Sequence, residues 1–375
     1  MRLLSKLNID KQISPWQWAV MNCIFGIGSA TITSTFTLAA LAQQAAWLAA
    51  LVAGGVYFCV AWLMIRLAAS FPGQTLSSFL KILWGKAVGI VIVWFLVLAL
   101  TAEIIVRLQL FSREITFFMF DRTPPEVIIL TMLAVSAYCA VQDLGTVLQI
   151  SQILFFTALP MMMMIILLGY ISFHVINIYP LWPVNIAGVG RAIAESWVYF
   201  FGYEFILYLL PFIYRGNTSI VKATGIAFAL KSLLMAVTIL MVIGVHTVEG
   251  LQGSPYPTMI AIRGVELPGT FVERLDNYLF FLWIPIGFMT FAQYLFFAAA
   301  MLADLHGYKD HRPIVLFFVP VLFIGSAALH DATVFTEFSK WIPWPGLLFS
   351  FGIIPASYLL ARWKLHRQGV TLDGR

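Results

Sequence analysis

The chain is a succession of long apolar runs, separated by short stretches that are rich in Pro, Gly and charged residues. A helix that crosses a membrane needs about 20 predominantly apolar residues. The pattern predicts an all-α polytopic membrane protein with about ten transmembrane helices, forming a single transmembrane domain over residues 1–375. The predicted spans lie at about 15–40, 47–69, 87–112, 126–142, 147–170, 190–213, 221–244, 276–302, 313–330 and 339–361.

Composition supports this assignment and excludes a water-soluble domain. Hydrophobic residues make up 61% of the chain and charged residues only 10%, whereas soluble domains carry roughly 45–50% and about 25%. The first apolar run is about 25 residues long, which exceeds the roughly 7–15 residues of a signal-peptide core, so we expect no cleaved signal peptide. The longest connection, at about 245–275, contains the segments "GSPYPT" and "ELPGTFVERLD".

Basic residues in the connections predict the orientation. If the N-terminus is cytoplasmic, 14 Lys and Arg residues lie on that side, 6 lie on the other, and Arg107 and Lys231 fall within spans, which accounts for all 22. Cytoplasmic loops normally carry the excess of Lys and Arg. The bias therefore predicts that both termini are cytoplasmic and that the number of spans is even.

Two apolar runs are interrupted at matching depths. Gly26 and Gly28 lie about a dozen residues into the first span, and Gly202 and Glu204 lie about a dozen residues into the sixth. Each of these spans opens a block of five, and five is odd, so the second block enters the membrane from the opposite side. Broken helices at corresponding positions of inverted repeats form the binding site of many transporters. We therefore predict two inverted five-helix repeats, over about 15–170 and 190–361, with helices 1 and 6 broken.

The residues at the two breaks suggest a site for a small zwitterion. An unwound Gly26–Gly28 segment would present backbone N–H groups and a helix N-terminus to a carboxylate, and Ser29 and Thr31 could add hydroxyl donors. An ammonium group would suit the carbonyls near Gly202 and the carboxylate of Glu204, with Tyr203 lining the same cavity. The alternative is that Gly26 and Gly28 only allow helices to approach closely, as small residues often do in membranes.

Three further charges fall inside spans, where each is a functional hypothesis by default. Glu103 and Arg107 are four residues apart in span 3, so they share a helix face and can pair with each other, or can act as a gate or ligand contact. Lys231 lies about ten residues into span 7 and can pair with a carboxylate or occupy a cation or proton site. Glu195 lies nearer a helix end, so we expect it at the interface.

Other chemistries lack support in the sequence. The three cysteines lie in apolar runs, and the six histidines are scattered without helical ligand spacing, so we expect no metal site and no cofactor. No phosphate-binding loop or nucleotide fingerprint occurs, and the modest net charge of +5 does not favour nucleic-acid binding. We therefore expect that the chain is not an enzyme.

An ordered set of short motifs runs along nearly the whole chain. They are "ISPWQW" at 13–18, "AW" at 46–47, "FPGQTL" at 71–76, "WGKAVG" at 84–89, "TP" at 123–124, "LWPV" at 181–184, "GYEFILYLLP" at 202–211, "YPT" at 256–258, "LPGTFVERLD" at 267–276 and Trp283. Together they resemble the endospore germination permease family, the B subunit of spore germinant receptors, within the amino acid–polyamine–organocation transporter superfamily. The sequence departs from the family pattern at Ala45, where an Asp is usual, and in the stretch "LQISQ" after Gly145, where an Arg is usual.

The resemblance implies a broken-helix transporter fold and a role in nutrient sensing in the spore inner membrane, with an A subunit and a C lipoprotein subunit as partners. Glu204 is preserved in the family pattern. The expected ligand is a small nutrient, an amino acid by the zwitterion chemistry above, with sugars and nucleosides left open. Two other functions stay open as well: a proton- or sodium-coupled amino acid permease, and a conducting pore for water or ions.

Overall fold

The computed structural model describes residues 13–30, 34–180, 184–214, 218–251, 256–265 and 275–367, with the side chains of 28–30 and 34 left undescribed. Within these ranges the chain is almost entirely helical, and the only extended pairing is an isolated bridge between Ile13 and Ile213. The α-helices are α1 Pro15–Ala30, α2 Ser34–Ala42, α3 Ala46–Ala69, α4 Leu76–Trp84, α5 Lys86–Phe118, α6 Pro125–Ala140, α7 Leu144–Leu168, α8 Ile186–Glu195, α9 Trp197–Phe200, α10 Ile206–Leu209, α11 Ile220–His246, α12 Val248–Leu251, α13 Pro257–Arg263, α14 Leu275–His306, α15 Arg312–Ala328, α16 Ala332–Ser339, α17 Pro343–Leu347 and α18 Ile354–Arg367.

Several of these helices are long and apolar enough to cross a membrane. In the described residues there are 6 such spans, or 7 if the bent pair formed by Ile186–Phe200 and Tyr203–Phe212 counts as one, and two shorter apolar helices, α6 and α15, accompany them. Large apolar side chains stand exposed on the outside of the bundle, among them Tyr138, Phe156 and Phe281 at 75%, 68% and 75% exposure. A surface of this kind suits lipid, so the chain is a multi-pass membrane protein; the number of ten spans stays a prediction.

The centre of the bundle is formed by α1 and α14. Helix α14 packs against α1, α5, α6, α7 and α15, and α1 also packs against α7 and α11. Helix α3 runs along α11, and the short helices α9 and α10 pack against the α1 and α3 side of this core. The broken span is therefore held against α1 and α3.

The break in the sixth predicted span lies where the sequence predicted it. Helix α9 ends at Phe200, the chain bends by 59°, and a short 3₁₀ turn begins at Tyr203. Gly202 has a φ of +95°, which L side chains rarely adopt, so glycine is required at this point. The predicted break at Gly202–Glu204 is confirmed.

The interruption of the first span lies elsewhere than expected. Helix α1 remains helical through Gly26 and Gly28 and ends at Ala30, and α2 begins at Ser34. The predicted unwinding at Gly26–Gly28 is therefore wrong, because Gly26 serves the close packing of α1 against its neighbours, as described below. Residues 31–33, including Thr31, lie outside the described residues.

Connections carry the caps and turns that the sequence signals. Asp143 caps the N-terminus of α7 by accepting from the backbone N–H of Thr146 at 2.9 Å, and Asp331 caps α16 in the same way. Hydrogen bonds from Thr146 lower the pKa of Asp143, and hydrogen bonds from Val334 and Thr333 lower that of Asp331. Both carboxylates are thus held in their charged, capping form near neutral pH.

Candidate ligand-binding site

The break at Gly202 packs directly against helix α1. A Cβ atom at Gly202 would lie 2.2 Å from Cδ1 of Phe25, and the Phe25 ring also packs against Phe201 and Phe205, with centroid distances of 5.1 and 5.2 Å. Glycine is therefore required at position 202 for two reasons: the backbone φ is positive, and the Phe25 ring occupies the space that a Cβ atom would need.

Gly26, the residue directly after Phe25 in α1, occupies a second close contact. A Cβ atom at this position would lie 2.4 Å from the carbonyl oxygen of Tyr199 and 2.4 Å from both Cε and Nζ of Lys231. Of the two interpretations of the glycines, the close approach of helices therefore applies at Gly26. The structure brings Gly26 and Gly202 to one junction of α1 with the broken span, although not as two unwound segments.

Glu204 lies within this junction and is only 1% exposed. One carboxylate oxygen, Oε2, accepts from the backbone N–H of Gly202 at 2.9 Å. The other oxygen, Oε1, has no hydrogen-bond partner in the part of the chain that the structure describes. The indole of Trp197 lies beside the carboxylate, with its N–H outside hydrogen-bond geometry. A buried carboxylate oxygen without a donor is costly, so Glu204 has unused capacity to accept a hydrogen bond.

Tyr203 points away from solvent and joins the break to the last span. Its hydroxyl lies 2.6 Å from Oγ of Ser350, and its ring packs against Tyr57 and Phe228 at centroid distances of 6.0 and 5.9 Å. Aromatic rings fill the surroundings, because Tyr57, Tyr199 and Phe200 are all completely buried. Tyr203 thus belongs to a packed aromatic layer that fixes the break in place.

Lys231 is completely buried in the middle of α11. Its ammonium donates to the carbonyl oxygens of Asn22 and Phe200, both at 3.3 Å, and faces the rings of Phe200 and Phe228 at 5.4 and 5.5 Å. Over the described ranges it forms no ion pair with a carboxylate, and Glu204 acts on it only at longer range. The pairing with a carboxylate that the sequence suggested is therefore absent from the described residues, and the ammonium is held by carbonyl oxygens and aromatic rings instead.

Glu103 and Arg107 form the ion pair that their spacing predicts. Arg107 Nε lies 2.6 Å from Glu103 Oε1, and the residues are 4% and 1% exposed. A hydrogen bond from Arg107 Nη2 to the carbonyl of Val198 and a cation–π contact with Phe201, at 5.4 Å, attach the pair to the broken span. The predicted pairing is confirmed, and Glu103 Oε2 and Arg107 Nη1 remain without hydrogen-bond partners among the described residues.

A cavity of about 590 Å³ opens beside this pair. Glu103, Arg107 and the half-buried Glu195 supply its polar wall, and the rest is mainly apolar. Its size is within the range of small-molecule sites. The lining residues come from α2, α5, α8, α9 and the α16–α17 region: Phe36, Thr37, Leu38, Ala40, Leu41, Glu103, Val106, Arg107, Leu110, Glu195, Val198, Phe335, Thr336, Ser339, Lys340, Ile342 and Pro343.

The cavity and the predicted ligand residues are neighbours without coinciding. Gly26, Gly202, Tyr203 and Glu204 are absent from its lining and lie in the packed junction of α1 with the broken span. Gly28 and Ser29 occupy the last turn of α1, where side chains are not described, and Thr31 lies outside the described residues. The sequence did not indicate that Glu195, which was expected at the interface, would line the cavity, nor that residues of α16 would do so. Amphipathic spacing on α8 was the only available signal for Glu195.

The arrangement suits a ligand that carries both charges. The cavity wall contains one guanidinium, that of Arg107, and two carboxyl groups, those of Glu103 and Glu195, so it carries groups of both charges in surroundings that strengthen charged hydrogen bonds. No cluster of three or more His, Cys, Asp or Glu that could hold a metal ion occurs within the described residues.

The fold is that of a membrane transporter. The chain superimposes on the structure of MHP1, a nucleobase-cation-symport-1 family transporter in a closed conformation with bromovinylhydantoin bound, with a TM-score of 0.64 over 97% of this chain and 81% of that one. Sequence identity is only 14%, so the likeness shows the fold alone. It confirms the predicted class, a helical membrane protein with the inverted-repeat fold of transporters.

The family model for spore germination proteins matches residues 12–334, and the chain belongs to that family. It is 25% identical to spore germination protein YndE of Bacillus subtilis (strain 168) over 352 residues, which are 92% of this chain and 94% of that protein. It is 26% identical to spore germination proteins B2 and A2 of the same organism, over 68% and 85% of this chain and 70% and 86% of those proteins. The family is transporter-like and not a class of enzymes, as the sequence predicted.

Proposed function

We propose that this chain is the integral membrane subunit of a spore germinant receptor, and that it binds a small zwitterionic nutrient, an amino acid, in the cavity beside Glu103 and Arg107. The observation that carries the proposal is a buried ion pair with one unpartnered atom on each residue, placed in the wall of a 590 Å³ cavity. Family membership supports the germination role, and the resemblance of the sequence to the B subunits supports the receptor role.

The ligand would replace part of the contact between the two side chains. Its carboxylate would accept from Arg107 Nη1, and its ammonium would donate to Glu103 Oε2 and to Glu195. Helix α2 contributes Phe36 and Thr37 to the cavity. We keep Gly28, Ser29 and Thr31, which lie a few residues before α2 in the sequence, as proposed ligand contacts.

Binding would act through the break at Gly202. Glu195 ends α8, Val198 lies in α9, and both line the cavity, whereas Gly202, Tyr203 and Glu204 follow directly at the bend. A ligand that draws α8 and α9 toward α5 would change the packing of the bend on α1. We propose that Gly26, Gly202, Tyr203 and Glu204 pass on the ligand signal instead of contacting the ligand itself.

The remaining proposals follow from the resemblance. The partners would be an A subunit and a C lipoprotein subunit, the location would be the spore inner membrane, and both termini would be cytoplasmic. The cavity would then face the outer side of that membrane, because Lys340 in its wall belongs to the loops predicted outside. Partner subunits would convert the ligand-dependent state of the helices into germination.

A second candidate function is a working permease for amino acids, coupled to protons or sodium. The transporter fold favours it, because a cavity beside a broken helix is also what a transporter uses. A conducting pore stays a third possibility from the sequence, and no contact of the described residues favours it further.

The decisive experiment combines a germination test with an uptake test. Spores that lack this chain are tested for germination with each of the twenty amino acids, and vesicles that contain the chain alone are tested for uptake of the same labelled amino acids. Loss of germination with at least one amino acid, without gradient-driven uptake of it, supports the receptor function. Saturable uptake by the isolated chain, with germination intact for every nutrient, would replace it with the permease function.

Ligand chemistry is tested on the nutrient found in that screen. The amino acid is compared with its amide, which lacks the carboxylate, and with its deaminated acid, which lacks the ammonium group. Because each ligand charge would have its own partner, both analogues are expected to lose at least about tenfold in potency. Equal potency of either analogue would contradict the zwitterion site while leaving the receptor role intact.

A further inference from the structure

The ammonium of Lys231 occupies a pocket at the meeting point of α1, α9 and α11. Its two hydrogen-bond acceptors are main-chain carbonyls, one from Asn22 in α1 and one from Phe200, the last residue of α9. The carbonyl of Phe200 ends a short helix, so it carries partial negative charge and has no acceptor role within that helix, whereas Asn22 lies inside α1 and its carbonyl also belongs to the hydrogen bonding of that helix. The two helices therefore present their carbonyls to one shared point.

The remaining surroundings of this point also suit a monovalent cation. The rings of Phe200 and Phe228 lie 5.4 and 5.5 Å from Nζ, within the distance of a cation–π interaction. The carboxylate of Glu204 contributes attraction at longer range. Carbonyl oxygens from interrupted helices are the groups with which transporters of this architecture coordinate coupling ions.

The neighbouring helix is shaped around the ammonium. A Cβ atom at Gly26 would lie 2.4 Å from Nζ of Lys231, so any other residue at this position would displace the Lys231 ammonium or helix α1. The hydroxyl of Tyr199 donates to the backbone carbonyl of Lys231 at 3.0 Å and so fixes α11 against the broken span. The pocket is thus closed on the side of α1 and anchored on the side of α9.

We infer that the pocket between α1, α9 and α11 is a monovalent-cation site that this chain fills with its own lysine, so that the junction stays charged and closed without an ion from solution. The inference goes beyond the proposed function, since it concerns the junction of the helices whatever the cavity binds. It implies that the protein needs no sodium at this site. It also implies that removal of the side chain leaves a site which a small free cation can enter.

The test compares thermal stability of the purified chain in nanodiscs, in sodium, potassium, methylammonium or choline chloride at one ionic strength. Choline, whose quaternary ammonium carries three methyl groups and a hydroxyethyl arm and donates no N–H hydrogen bond, serves as the reference. The wild-type chain is expected to unfold at the same temperature in sodium and in choline. Lys231→Ala, purified in methylammonium and then transferred to choline, is expected to unfold at a temperature at least about 5 °C below that of the wild type. Methylammonium should restore at least half of that loss, with saturation.

Lys364→Ala is the matched control. The ammonium of Lys364 also donates to two carbonyls, those of Ile82 and Leu83 at 3.3 and 2.8 Å, but at a site that solvent reaches. Its removal should leave the unfolding temperature equal in all four salts. An effect of methylammonium on this variant equal to that on Lys231→Ala would show a general salt effect and overturn the inference.

Two further outcomes would also overturn it. One is a saturable rise of the wild-type unfolding temperature with sodium relative to choline, abolished in Lys231→Ala, because the site would then take sodium with the lysine present. The other is a Lys231→Met variant with wild-type stability and no response to any cation, since the pocket would then be merely apolar. If Lys231→Ala does not fold, the wild-type sodium titration and Lys231→Met decide the matter. None of these measurements depends on the nutrient, so they are independent of the proposed function.

Discussion

Replacing Glu103 by Gln removes one charge from a buried pair and leaves the other without its partner. Arg107 is 4% exposed, and its guanidinium has no second carboxylate within the described residues that forms an ion pair with it. Removing one partner of a buried ion pair typically costs about 3–5 kcal/mol, because the remaining charge is neither solvated nor compensated. The contacts of Arg107 with the carbonyl of Val198 and the ring of Phe201 persist, so we expect about 3 kcal/mol, the lower end of that range.

The second substitution should recover part of this loss. In Glu103→Gln/Arg107→Gln no charge remains buried, and the two amides can hydrogen-bond at a separation that held a 2.6 Å ion pair. Replacing both members of a buried pair is often nearly neutral. We expect the double variant to regain at least about 1 kcal/mol relative to Glu103→Gln, a coupling of the size usual for residues in contact. The assay is protein abundance in spore membranes, together with the unfolding temperature of the purified chain.

The exposed pair Glu337–Lys340 provides the matched control. Its charged atoms are 2.5 Å apart, but its side chains are 63% and 60% exposed. Exposed pairs contribute about 0–1 kcal/mol, so the corresponding cycle at this site should show little coupling. A double variant at 103 and 107 that is no more stable than Glu103→Gln would refute the reasoning, because the partner of Arg107 would then lie elsewhere. If the double variant is abundant but its spores no longer answer the nutrient, the pair has the ligand role proposed above.

Two further predictions test the break and a helix cap. Gly202→Ala should reduce the amount of folded protein strongly, because φ is +95° and the added Cβ would lie 2.2 Å from Phe25; Gly190→Ala, where nothing lies within 4 Å of the added atom, is the control, and equal abundance of the two would count against the geometry of the bend. Asp143→Ala should cost about 1 kcal/mol at pH 7 by removing the cap of α7. Because hydrogen bonds lower the pKa of Asp143 below the unfolded value of about 3.9, this contribution is present above that pH and is lost as the pH falls through the folded pKa. The unfolding temperatures of wild type and Asp143→Ala should therefore converge in acid, and a gap that is constant with pH would contradict the role of the charged cap.

The helices could be predicted from the sequence because apolar length is a local property. The predicted span at 47–69 corresponds to α3, Ala46–Ala69, and the one at 147–170 to α7, Leu144–Leu168. The break at Gly202 was also visible, because a glycine and a charged residue interrupt an apolar run there, and the φ of +95° at Gly202 favours glycine. Glu103 and Arg107 were paired correctly from a spacing of four on one helix.

What could not be predicted depends on contacts between distant segments. Gly26 looks identical in the sequence whether a helix unwinds there or another helix packs against it, and only the positions of Tyr199 and Lys231 decide between the two. The cavity likewise needs α2, α5, α8 and α16 to be placed around one space. Glu195 could not be assigned to that space, since its distance from the helix end was equally consistent with a position at the membrane interface.

The proposed receptor function requires a path from the cavity to the break at Gly202, and α9 is well placed to provide it. Within five residues of the chain, the carbonyl of Val198 accepts from Arg107 at the cavity, the carbonyl of Phe200 accepts from Lys231, and the bend follows at Gly202. A four-residue helix held by two buried cations has few internal hydrogen bonds of its own, so its position depends on these two side chains more than on its own length. A ligand that competes for Arg107 would weaken one of the two attachments and leave the other, at Lys231, in place. A difference in ligand affinity of about 1–3 kcal/mol between two positions of α9 would bias them by roughly 5- to 150-fold, which is enough for a partner that contacts the moving helices to respond.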